Sequence, residues 1–86
     1  MSTIHVHPRI PQRHPDVSND DVIHAMRSAV SYRQRDNGSW ISVGFDEKGR
    51  MLEMVYTYDE EQDAFGVYHA MTPATAKTLK ELGLMR

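Results

Sequence analysis

Apolar positions along the chain follow two different periods. In the first third they recur at Val22, Ala25, Met26, Ala29 and Val30, the i, i+3, i+4, i+7, i+8 stripe of an amphipathic helix. Just ahead of that stripe, Ser18-Asn19-Asp20-Asp21 has the form of a capping box with Asp in place of the usual Glu or Gln. The Ser18 hydroxyl accepts from the Asp21 amide, and the Asp21 carboxylate reaches back. Val17 and Val22 stand where a hydrophobic staple clamps the entry, and acidic side chains in the first turn suit the positive end of the helix dipole. A helix is predicted from Ser18 to about Val30.

From Ser31 the period shortens to two. Tyr32 to Gln34 reads as a first strand, and Asp36-Asn37-Gly38-Ser39 as a turn. Trp40 to Phe45 follows, with Ile41, Val43 and Phe45 on one face. Asp46-Glu47-Lys48-Gly49 has the pattern of a type I turn with glycine in the left-handed position. Arg50 to Tyr58 places Leu52, Met54, Tyr56 and Tyr58 on one face. Asp59 to Asp63 is an acidic loop, and Ala64 to Ala70 is a fourth strand. Such short connections predict an antiparallel four-stranded meander. Thr72-Pro73 then reads as N-cap and first residue of a second helix. Ala76, Leu79 and Leu82 share one of its faces, and Gly83 stops it. Before all this, Met1 to Pro15 carries three prolines that prevent a long helix. Its Ile4-His5-Val6-His7 alternation fits a short edge strand, and a mobile arm fits the prolines equally well.

The predicted architecture is α+β: N-terminal helix, four-stranded antiparallel sheet, C-terminal helix, with both helices on one sheet face. Residues 1–86 form a single domain with a Pro/His-rich arm at 1–15. No cysteine is present, so disulfides, thiolate metal sites and Cys nucleophiles are excluded. The first residues are polar rather than signal-like, and no apolar run reaches the roughly 18–20 residues that cross a bilayer. A cytoplasmic protein without membrane contact is the expectation. Residues 1–35 carry five arginines against three aspartates, and residues 36–86 carry five cations against nine carboxylates. Only the first half therefore suits an anionic partner.

Several stretches resemble the BrnT-type toxins of bacterial toxin–antitoxin pairs, which are small RelE-like ribonucleases. The resemblance runs from Arg13-His14-Pro15 through the helix at Ser18 and Trp40-Ile41-Ser42-Val43-Gly44-Phe45. It continues through Gly49-Arg50-Met51-Leu52-Glu53-Met54-Val55-Tyr56-Thr57-Tyr58 and ends in Tyr68-His69-Ala70-Met71-Thr72-Pro73-Ala74-Thr75. It implies a RelE-like fold, cleavage of messenger RNA and an antitoxin protein that blocks the toxin. The family pattern has Ser-Ala-Arg where this chain has His69-Ala70-Met71, and the family is generally basic.

RNA cleavage without metal needs a base for the ribose 2′-OH, an acid for the leaving oxygen and cations for the phosphorane charge. His14, His69 and Arg50 are the candidate catalytic residues. Arg13, Arg33, Arg35 and Lys48 are the candidate RNA contacts, with Arg33 and Arg35 on the same side of one strand. No cofactor and no metal is expected. His5-x-His7 with His14 or Asp16 is a weak ligand pattern, and His69 also suits a hydrogen-bonded core position. Glu53 reads as a lone carboxylate that faces solvent or pairs with an arginine. Two other readings stand beside the nuclease: a catalytically inactive RelE-like module that binds a protein, and a domain that pairs through an exposed strand edge as a homodimer or heteromer.

Overall fold

A computed structural model describes residues 2–86. Eight elements follow one another: β1 (Thr3–Val6), α1 (Arg9–Arg13), α2 (Asn19–Arg27), β2 (Ser31–Gln34), β3 (Trp40–Phe45), β4 (Met51–Asp59), β5 (Ala64–Met71) and α3 (Ala76–Glu81). Strands β2 to β5 form the expected antiparallel meander. The sheet nevertheless has five strands in the order β1-β5-β4-β3-β2, because β1 adds to β5 in parallel, pairing Thr3 with Ala64 and Val6 with Val67. The fold is α+β with a mixed sheet, not a purely antiparallel four-stranded one. From Thr3 onward the arm is thus part of the fold: after β1, the His7 amide donates to the Val67 carbonyl (2.9 Å) and the chain enters α1.

The capping box forms as the sequence dictates. Asp21 donates its amide to Ser18 Oγ (3.1 Å), and the Ser18 amide returns a bond to Asp21 Oδ2 (2.9 Å). The helix stops at Arg27 rather than continuing to Val30. Ser28 donates its hydroxyl to the Phe45 carbonyl (2.8 Å) and its amide to the His24 carbonyl (3.1 Å), which fixes the last turn to β3. Ala29 and Val30 consequently lie in the exposed connection to β2.

Strand register divides the side chains between two sheet faces. Trp40 pairs with Tyr56, Ser42 with Met54 and Gly44 with Leu52, and these point toward α1 and α2. The main core lies there, with Ile10, Val17, Val22 and Ala25 packed on Leu52, Met54, Tyr56, Val67 and Ala70. Ile41, Val43 and Val55 point the other way and are also buried, because α3 crosses that opposite face. The helices therefore cover both faces, contrary to the expectation of one. Residues apolar on both sides suit a strand buried on both. α3 starts at Ala76 behind Thr75, not at Pro73 behind Thr72, whose hydroxyl instead donates to the Met51 carbonyl (2.8 Å). The helix is turned so that Thr78 is buried, Leu79 and Leu82 are half-buried and Ala76 is exposed. No helix among the described residues is long and apolar enough to cross a membrane.

Close approach of α2 to β3 depends on one residue. A Cβ on Gly44 would collide with the Ala25 carbonyl and lie 3.2 Å from Ala29 Cα. The obstacle is backbone on the core side, so rotamer changes cannot relieve it. Gly44→Ala is expected to lower stability by about 1–3 kcal/mol or more, in the range of overpacked cores. A urea midpoint equal to that of the parent chain would refute this packing.

Candidate functional site

The polar site lies on the α3 face, around a buried carboxylate. Glu53 pairs in register with Met71 and Val55 with His69, so Glu53 and His69 are diagonal neighbours on one face of an antiparallel pair. His69 Nε2–H donates to Glu53 Oε2 at 2.9 Å. Thr75 donates both its amide (2.7 Å) and its hydroxyl (2.8 Å) to Glu53 Oε1. Its hydroxyl oxygen then accepts from the Thr78 amide (3.3 Å) as the N-cap of α3. One carboxylate thereby holds together β4, the end of β5 and the start of α3.

Burial alone would raise the Glu53 pKa, since desolvation penalises the charged form. The bonds from His69, the Thr75 amide and hydroxyl, and Thr78 outweigh it and hold the carboxyl at about 2, below its ordinary 4.5. Glu53 is therefore an acceptor at neutral pH. A carboxylate can only accept, so His69 carries its proton on Nε2 and presents Nδ1 as a free lone pair when neutral. The side chain of His69 is 35% exposed while that of Glu53 is only 7% exposed, an accessible imidazole oriented by a buried anion.

His14 completes the group. It ends α1, where its amide donates to the Ile10 carbonyl (2.8 Å) and its own carbonyl accepts from Val17 (2.9 Å). Its ring stands edge-on to that of His69, with centroids 6.4 Å apart and planes at 89°. Two of the three expected catalytic residues thus come together from opposite ends of the sequence. Arg13 precedes His14, is exposed, and makes no ion pair among the described residues.

The remaining candidates are committed elsewhere. Arg50 donates Nε to Asp46 (2.7 Å) and Nη2 to Asp21 (3.1 Å), and Asp16 lies 3.8 Å from Nη1. The hydrogen bond to Asp46 raises its pKa further. It closes the β3–β4 turn onto the start of α2, with carboxylates as its partners. Lys48 Nζ is exposed and 3.6 Å from Asp21, a carboxylate it shares with Arg50. Arg35 forms a two-pronged pair with Glu81 (2.8 and 2.9 Å), and Arg33 donates to the Glu81 carbonyl (3.3 Å). Arg33 in β2 and Arg35 just past its end thus both reach Glu81 and fasten α3 to the sheet. His5 and His7 are exposed, His7 Nδ1 accepts from the Arg9 amide (3.1 Å), and no group of three metal-ligating side chains occurs among the described residues.

Sequence reasoning missed Glu53 and Thr75. Glu53 neither faces solvent nor meets an arginine. The β5 phase also differs from strict alternation, because a bulge lets Val55 face His69 and Tyr56 face Val67, leaving Tyr68 as the extra residue. His69 is thereby displaced from the core face that holds Val67. The one usable signal was the Thr75-x-x-Thr78 spacing, which matches a hydroxyl N-cap.

Comparison with protein-family models, curated proteins and solved structures finds no match to this chain.

Because the folded pKa of Glu53 lies below its ordinary value, its contribution to stability is present above about pH 4.5 and is lost as pH falls toward about 2. Glu53→Gln removes that contribution. The parent chain should unfold at a higher urea concentration than the variant at pH 7, and the gap should narrow steadily between pH 4.5 and the lowest accessible pH. A gap independent of pH would contradict the ionised network.

Proposed function

We propose that the chain is the toxin of a toxin–antitoxin pair, a cytoplasmic RelE-like endoribonuclease that cleaves messenger RNA without metal and is neutralised by an antitoxin. The observation that carries the reading is the edge-on pair of His14 and His69 beside Glu53. Neutral His69 takes the 2′-OH proton on Nδ1 while the Glu53 carboxylate stabilises the imidazolium that forms. The 2′-oxygen attacks phosphorus. His14, protonated, gives its proton to the departing 5′-oxygen. The products are a 2′,3′-cyclic phosphate and a 5′-hydroxyl, so atoms and protons balance with no added reagent. Arg13, next to His14 and without an ion-pair partner among the described residues, is the cation for the phosphorane charge.

A second reading, the catalytically inactive RelE-like module that binds a protein, is favoured by the neutralised state of Arg35 and Arg50 and by Met71 at the family's arginine position. Cleavage of RNA, alone and in a translating extract with chelator present, separates the two. His69→Ala and His14→Ala should each lower the rate by roughly 100-fold or more, the ordinary weight of one general acid or base. Arg50→Gln should leave the rate per folded molecule within about threefold, because its partners are structural carboxylates. Absence of cleavage by the parent chain, or an unchanged rate in His69→Ala, would reject the nuclease reading in favour of the second.

A further inference from the structure

We infer that the open groove on the α2 side of the sheet docks a basic amphipathic helix of a partner protein. This surface is on the opposite sheet face from Glu53 and His69, and the inference does not depend on RNA cleavage.

The groove follows from the limited reach of α2. Its nine residues span only about 13 Å and pack chiefly on β3, β4 and β1 of the five strands. α2 therefore leaves part of the face uncovered. There the sheet and the end of α2 form a groove of about 600 Å3, lined mainly by Ile4, Met26, Tyr32, Trp40, Tyr58 and Phe65. The rings are already packed against one another: Tyr32 and Trp40 centroids are 6.1 Å apart, and Tyr58 and Phe65 centroids 4.7 Å. Little side-chain freedom remains to be lost on binding. Tyr32 is 67% exposed and Tyr58 39%, so a small molecule would be covered on one side only. A helix laid along the floor buries its apolar stripe and leaves its polar face in water.

Charge selects the occupant. Asp63 accepts from two residues of the lining, Tyr58 Oη (2.7 Å) and Ser2 Oγ (2.8 Å). The carboxylates of Asp63, Glu60 and Asp59 all act on the Tyr58 hydroxyl and raise its pKa. The Asp59–Asp63 loop, with four carboxylates in five residues, is thus an acidic rim at one end. Arg27 lines the α2 side. An RNA strand would bring phosphates to this rim, and a second copy joined by a twofold axis would add another acidic loop, and no complementary cations from that loop, to the same interface. Lysines or arginines flanking an apolar helical stripe complement both floor and rim.

Trp40, the single tryptophan, reports on the groove directly. The probe is a synthetic amphipathic helix of leucine and lysine, compared with a scrambled peptide of the same composition and with a glutamate-for-lysine analogue. Saturable change in Trp40 emission with the first peptide alone is expected. Tyr32→Glu should weaken binding about tenfold or more, as loss of an aromatic anchor does. Glu60→Lys should weaken it by about threefold at low salt and less at high salt. Ala29→Glu, at another exposed position of the lining, serves if Tyr32→Glu disturbs the fold. Equal binding of all three peptides, no binding of the first, or indifference to both glutamate substitutions would overturn the inference. So would saturable quenching by a uridine-rich oligonucleotide that Tyr32→Glu abolishes, or concentration-dependent self-association that shields Trp40.

Discussion

A carboxylate removed from water must find donors, and in this chain that requirement falls on Glu53. Its donors lie 16 and 22 residues further along the chain, the imidazole at the end of β5 and the Thr75 amide and hydroxyl at the start of α3. A buried anion with fewer donors would shift toward its neutral form or destabilise the fold. The network therefore fixes where β5 ends, where α3 begins and how the His69 ring is turned. The orientation of the imidazole follows from the same bonds: a ring held by Nε2 has its Nδ1 available and cannot rotate freely.

The sheet separates two kinds of surface. Toward α1 and α2 it is apolar, with a packed core at one end and an open aromatic floor at the other. Toward α3 it carries paired charge: Arg35 with Glu81, His69 with Glu53. Arg50, with Asp16, Asp21 and Asp46 around it, ties the β3–β4 turn to the capped start of α2. The arginines thus act chiefly as ties between elements. Hydrogen bonding to Arg35 holds the Glu81 carboxyl below its ordinary value. Asp46 is likewise lowered, where bonds from Arg50 and Lys48 overcome the effect of burial. Acidification weakens these ties together.

Local signals in the sequence were sufficient wherever local chemistry decides. The Ser18 capping box, the glycines at 38 and 49 with φ of 91° and 79°, and the two-residue period fixed the start of α2 and all four meander strands to within a residue or so. What they could not fix depends on contacts distant in sequence. Alternation in Ile4–His7 indicates a strand but not its partner or direction, so the parallel pairing with β5 was not legible. Ser28 ends α2 through the Phe45 carbonyl, a residue in another element. The bulge at Tyr68 displaces His69 from the phase of Val67, and no residue type in β5 announces it. Imidazole chemistry draws attention to His14 and His69 in the sequence, whereas the role of Glu53 is not legible there because its burial depends on α3 crossing the second face.

Ring-nitrogen chemical shifts of His69, observed by NMR on 15N-labelled protein under conditions where the ring is neutral, test the Glu53–His69 bond most directly. A neutral ring protonated on Nε2 and bare on Nδ1, with that preference relaxing in Glu53→Gln, is the expected result. A ring protonated on Nδ1 with Nε2 bare, or shifts indifferent to Glu53→Gln, would contradict the arrangement from which the chemistry is built.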